Sequence, residues 1–165
     1  MFHRIFLFGV LFHIAITGQT ALDLKRQAAA LKAKGDAAGA LALTVKAAEA
    51  DPKSAELEDE IGFLLAVLNR GAEAIPHFEH AIELQSSYAA AHFHLGVLYW
   101  LAKDPNRAIP SLQEAVKLAP KVADYHVKLG SAFSEVAHYE ESVSELRTAT
   151  RLEPRNASRY RGPFG

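Results

Sequence analysis

Gly62, Gly96 and Gly130 stand 34 residues apart, and the residues around them repeat with them. Ile61-Gly62, Leu95-Gly96 and Leu129-Gly130 share one phase. Ala74, Ala108 and Ser142 follow twelve residues later, and Ala81, Ala115 and Ala149 seven beyond those. Pro120 and Pro154 close the last two stretches. One period earlier the phase meets Ala28, Ala40, Ala47 and Pro52, so four repeats run from Ala21 to Asn156 without an insertion. A period of this length builds a stack of small supersecondary units rather than one globular core. Such stacks offer extended surfaces to partners, which favours a scaffold over an enzyme.

Each repeat holds two helical patterns. In the third, Leu95, Leu98, Tyr99 and Ala102 recur three and four residues apart, as one face of a helix requires. Lys103-Asp104-Pro105 breaks that helix, with Asp104 placed to cap the next one and Pro105 suited to its first turn. The second helix then runs to about Leu118, with Ala108, Ile109, Leu112, Ala115 and Val116 inward, and Pro120 prevents its continuation. Lys34-Gly35-Asp36, Asn69-Arg70-Gly71 and Ala137-His138-Tyr139 serve as the corresponding turns. Glycine or alanine at the eighth position of a repeat lets its two helices approach closely. Larger residues at position eleven (Leu31, Leu65, Tyr99, Phe133) and twenty-four (Phe78, Leu112, Leu146) fill the space between them. Pro76 and Pro110 share a phase near the start of the second helix, where a missing N–H is expected to cost least.

These residues resemble the tetratricopeptide repeat. The third repeat carries the pattern most fully, as Leu95-Gly96, Tyr99, Ala108, Leu112, Ala115 and Pro120, and the fourth differs by Ser142. The second has Ser86 in place of the proline. The first is degenerate, with Gln27 and Thr44 where apolar residues are usual. None has the tryptophan usual at position four, where Leu24, Glu58, His92 and His126 stand. The resemblance implies an all-α fold, a right-handed superhelical solenoid of four antiparallel helix pairs. Its repeats span 21–54, 55–88, 89–122 and 123–156, with an irregular tail at 157–165.

The composition is that of a folded chain, 50% hydrophobic and 22% charged, and the net charge of −1 gives no field directed at nucleic acid. Cysteine is absent, which excludes disulfides, thiolate zinc sites and a thiol nucleophile. Met1-Phe2-His3-Arg4 followed by the apolar run Ile5 to Ile16 reads as a signal peptide ending near residue 18. An uncleaved membrane anchor is the alternative. The mature protein is therefore expected to be exported, periplasmic or secreted. The tail Arg161-Gly162-Pro163-Phe164-Gly165 cannot sustain a helix, and no polar capping helix is visible. Either the fourth repeat meets a partner or another copy, or the chain is part of a longer product.

The resemblance implies a concave groove lined by the first helix of each repeat. It assigns Lys25 and Lys32 to that groove from the first repeat, and Phe63 and Val67 from the second. The third contributes Phe93, His94, Val97, Trp100 and Leu101, and the fourth Lys128. Independently of the resemblance, Ala90, Phe93, Val97 and Trp100 form an apolar stripe on a different face from Leu95 and Tyr99. Two readings of that stripe stand side by side: the floor of a site for a bulky apolar side chain, or packing between repeats or copies. A clamp for a terminal carboxylate, as in chaperone-tail-binding relatives, is not expected. Of its five positions, occupied here by Lys25, Ala29, Glu60, Ala90 and His94, only the first matches.

His92 and His94 diverge on a helix, whereas His77 and His80 could share an ion, but solvated or half-packed histidines are the simpler reading. No HExxH, phosphate-binding glycine loop, GxSxG elbow or EF-hand spacing occurs. The expectation is a non-enzymatic adaptor without cofactor or metal, holding a protein or peptide partner. It includes no nucleic acid, possible self-association, and membrane contact only through an uncleaved N-terminus. The alternative is an accessory region of a larger exported enzyme.

Overall fold

The computed structural model describes residues 20–159, and the side chains of residues 20–156. The signal-peptide run and the last six residues lie outside this range. Eight α-helices follow one another: α1 (residues 20–33), α2 (Ala37–Ala50), α3 (Ala55–Val67), α4 (Gly71–Leu84), α5 (Ala89–Leu101), α6 (Pro105–Leu118), α7 (Ala123–Glu135) and α8 (Tyr139–Leu152). A 3-10 helix, Pro154–Arg159, occupies the start of the expected irregular tail. There is no strand among the described residues, and the fold is an all-α helical repeat. No described helix is long and apolar enough to cross a membrane. The residues form two compact units, one ending at Leu84 and one beginning at Gln85. In the first, α3 packs on α4 and on α2. In the second, α5 packs on α6, α7 on α8, and α6 on α7.

The turns inside the repeats share one backbone device. Gly35, Asn69, Lys103 and Ala137, each at position fifteen, all have positive φ, between 60° and 81°. The next amide reaches back five residues, as in Asp36 N–H to Leu31 O, Arg70 to Leu65, Asp104 to Tyr99 and His138 to Phe133. These bonds satisfy a carbonyl at the end of the first helix while the left-handed residue reverses the chain. The second helix is capped where the sequence allows it. Asp36 accepts from Gly39 N at 2.8 Å, and Asp104 from Arg107 N at 3.2 Å. The Arg107 side chain also donates to Asp104, which holds that carboxyl below the usual carboxylate range.

Packing within a repeat is set at the eighth position. A Cβ added to Gly62 would lie 2.7 Å from the Phe78 ring, and one on Gly96 would lie 2.8 Å from Leu112 Cγ and 3.1 Å from the Leu112 backbone nitrogen. Gly130 is less tight, its nearest neighbours being Leu146 Cγ at 3.0 Å and Ser142 O at 3.2 Å. Phe78 and Leu112 are fully buried, and burying such a side chain stabilises by about 1.5–3 kcal/mol. The degenerate first repeat follows the same logic: Ala28 replaces the glycine, and the residue at position twenty-four shrinks to Thr44. Thr44 is buried and donates its hydroxyl to Ala40 O at 2.9 Å, so its polar atom costs little.

Pro76 and Pro110 differ from the expectation. Each is the sixth residue of its helix, two residues past the four amides that a helix leaves unpaired, so each removes a bond to an i−4 carbonyl. Those carbonyls belong to Ala72 and Asn106, which are exposed like the prolines, so water can serve them.

In the second and fourth repeats a polar pair at positions four and twenty-three links the two helices. Glu58 Oε2 lies 2.8 Å from His77 Nδ1 and 3.5 Å from His80 Nδ1. In the fourth repeat the pair is transposed: His126 Nδ1 lies 2.6 Å from Glu145 Oε2, and His126 Nε2 faces Pro120 O at 3.0 Å. His92 repeats the carbonyl contact, to Ser86 O at 3.0 Å. His92 and His126 are thus each tied to the loop before their own helix.

Gly96→Ala should destabilise by about 1–3 kcal/mol in urea unfolding, despite alanine's better helix propensity, because the Leu112 backbone cannot yield. Gly130→Ala should cost less. His126→Glu should cost about 1–3 kcal/mol by leaving Glu145 opposite a like charge. Adding Glu145→His, which reproduces the second repeat's arrangement, should recover most of that loss.

Candidate partner-binding face

The sequence-predicted site residues fall in both compact units. In the first, Lys25 and Lys32 project from α1 and meet α3. Lys25 Nζ donates to Glu56 Oε2 and Lys32 Nζ to Glu60 Oε1, each at 2.5 Å. The Lys32 ammonium also lies 5.6 Å from the centroid of half-buried Phe63. Both lysines are thus joined to carboxylates rather than left as bare positive charge. Val67, the last residue of α3, remains 52% exposed.

In the second unit, α5 presents Phe93, Val97 and Trp100 toward α7. All three are half-buried and pack on the cluster of Leu112, Leu129, Ala132 and Phe133, together with Ile109 and Val116. Phe93 stacks on Tyr125 of α7, with ring centroids 4.4 Å apart and planes 22° from parallel. His94, also half-buried, lies against Phe93 at 5.7 Å between centroids. Leu101 ends α5 and is 61% exposed. The structure therefore brings Phe93, Val97 and Trp100 together through contact with the next repeat, and leaves Leu101 outside that contact.

Trp100 has an unusual environment for a packed tryptophan. Lys128 Nζ from α7 sits 4.9 Å from the ring centroid, and Lys103 Nζ from the turn after α5 sits 5.7 Å away. The indole Nε1 is buried and has no hydrogen-bond partner among the described residues. Buried tryptophans usually find an acceptor, and leaving the N–H unpaired costs about 1–3 kcal/mol.

Comparing the repeats explains the stripe. Phe93, Val97, Trp100, Ile109 and Val116 become Val127, Ser131, Ser134, Val143 and Thr150 one period later. Each is smaller, more polar or both. In the third repeat these positions carry α7. In the fourth, the described element that follows and contacts α8 is the 3-10 helix Pro154–Arg159, and Val143 is exposed. Tyr125 and Lys103 escaped the sequence reading, since the periodic pattern marks which face of a helix is apolar but not what lies across from it. The polar pair at positions four and twenty-three escaped that reading too, although the 19-residue spacing of Glu58 with His77 recurs in His126 with Glu145. Among the described residues, no group of three His, Cys, Asp or Glu is arranged to hold a metal ion.

Residues 89–122 and 123–156 each match a family model described as tetratricopeptide repeat. No curated protein sequence matches the chain. Among solved structures, MamA is similar over 84% of this chain and 81% of its own, at 22% identity and a TM-score of 0.74. YrrB, described as a TPR protein with an unusual peptide-binding site, is 25% identical over 81% of this chain and 69% of its own, with a TM-score of 0.69. The first TPR of Spaghetti (RPAP3), bound to the HSP90 peptide SRMEEVD, is 22% identical over 72% of this chain and 94% of its own, with a TM-score of 0.69.

Trp100→Ala should destabilise the chain by about 2 kcal/mol, measured by circular dichroism in urea, because it opens the contact between α5 and α7. Ser134→Ala, at the equivalent position one repeat later, should change stability by less than about 0.5 kcal/mol.

Proposed function

We propose, on the premise that residues 89–156 form two tetratricopeptide repeats, that the protein is an exported, non-catalytic scaffold. Its first-helix faces hold a peptide segment or a subunit of a larger assembly. The observation that carries this reading is apolar exposure that packing within the repeats does not require. Val67 and Leu101 occupy position thirteen of successive repeats, at the ends of α3 and α5, and both remain more than half exposed. Isolated exposed leucines need no explanation. Here, however, Leu101 adjoins the half-buried Trp100, and anchors of this kind dominate the energy of peptide recognition. The peptide-binding descriptions of YrrB and of the first TPR of Spaghetti support the same reading by fold analogy. Export rests on the N-terminal sequence pattern alone.

The packing of Phe93 and Trp100 makes them poor choices for a binding test, since their removal loosens the fold itself. Leu101→Glu is the cleaner probe, because the side chain lies outside the core. The variant should keep the wild-type helical signal and unfolding midpoint, yet lose at least about tenfold in partner recovered from the exported fraction, quantified by mass spectrometry. Equal recovery by wild type and variant would count against this face. The same preparation should show a mature N-terminus near residue 19.

A further inference from the structure

We infer that Lys128 and Trp100 form a subsite for a carboxylate carried next to an apolar side chain on the partner segment. The inference rests on the peptide-holding reading above and names the chemistry of what is held. Its basis is a regularity in how lysines on this side of the repeats are answered. Lys25 and Lys32 of the first repeat are met by Glu56 and Glu60 on the first helix of the second. Lys103 of the third is met by Glu135 on the first helix of the fourth, at 3.1 Å. In each case the carboxylate comes from the following repeat. Lys128 stands in the fourth repeat, forms no ion pair among the described residues, and instead turns back over the Trp100 ring.

An ammonium over an indole is only partly compensated, because the ring supplies a quadrupole and not a charge. Lys128 is half-buried, so part of its hydration is already lost, and a carboxylate arriving there gains more than at a fully exposed lysine. Leu101, next in sequence to Trp100 at the end of α5, offers exposed apolar surface. An acidic residue flanked by apolar ones complements this combination. A basic segment does not, since Lys128 faces the ring with no carboxylate of its own among the described residues.

The test uses the full mature chain and hexapeptides of the form Ala-Leu-X-Asp-Leu-Ala, where X is Leu, Phe or Met, with matched peptides carrying Asn in place of Asp. Trp100 is the sole tryptophan and reports binding through its emission. At low salt the Asp peptides should bind about fivefold more tightly than the Asn peptides, and added salt should narrow the gap. Lys128→Gln, checked for an unchanged helical signal, should abolish the preference. Equal binding of Asp and Asn peptides overturns the carboxylate inference and leaves the peptide-holding face standing. An Asp preference that survives in Lys128→Gln overturns the assignment to Lys128. Binding of neither set overturns this inference and removes peptide holding from this face.

Discussion

Everything in these repeats depends on how near two antiparallel helices come to one another, and that distance is fixed at the eighth position. At Gly96 the backbone nitrogen of Leu112 would lie 3.1 Å from any Cβ, so the approach cannot be relaxed by moving a side chain alone. Once the helices are that close, the residue at position twenty-four lies directly across the glycine and becomes fully buried, as Phe78 and Leu112 show. The small residues at positions twenty and twenty-seven, Ala74, Ala81, Ala108, Ala115 and Ala149, have essentially no exposure for the same reason. The paired shift to Ala28 and Thr44 in the first repeat shows the constraint from the other side. A larger residue at one position accompanies a smaller one at the other.

Close approach also demands a short reversal between the helices, which the left-handed residue at position fifteen provides. Only the first repeat uses glycine there, and Asn69, Lys103 and Ala137 take the same conformation. A side chain in that region costs free energy, and asparagine bears it better than alanine. The hydrogen bond from the following amide to a carbonyl five residues back recurs in all four turns and offsets the cost. Turn geometry is therefore conserved across the repeats while turn sequence is not. This is why the turns could be located from breaks in the helical pattern, yet their shared conformation could not be read from residue type.

The same distinction governs what else the sequence disclosed. Period, helix pairing, close-packed glycines and the cap at Asp104 are written in single positions with a direct steric or hydrogen-bonding meaning, and they were legible. The cross-helix pairs Glu58 with His77 and His126 with Glu145 were not, because their polarity is reversed between repeats. Comparison position by position finds glutamate in one and histidine in the other. Only the spacing between the two members stays constant. The prolines of α4 and α6 were placed near the start of their helices, as they are, but they fall just past the amides that a helix leaves unpaired, a difference of two residues that a break in a pattern does not resolve. The lysine partners were hidden too, because Glu56, Glu60 and Glu135 lie about thirty residues from the ammonium groups they meet.

The candidate site was legible only in part, for a physical reason that concerns the stripe Phe93, Val97 and Trp100. An apolar face on a helix records that something covers it, not whether the cover belongs to the same chain. In the third repeat much of the cover is α7, and the equivalent face of the fourth turns to serine and threonine. Repeat proteins supply an internal control for this ambiguity that globular folds lack. Phe93, Val97 and Trp100 pack toward α7, and their counterparts Val127, Ser131 and Ser134 in the fourth repeat are smaller, more polar or both. Leu101 does not belong to that set: it is apolar and exposed even with α7 in place. Packing thus accounts for the covered surface of the stripe. The exposed Leu101 lies outside that packing, and the ammonium of Lys128 faces the Trp100 ring rather than a carboxylate.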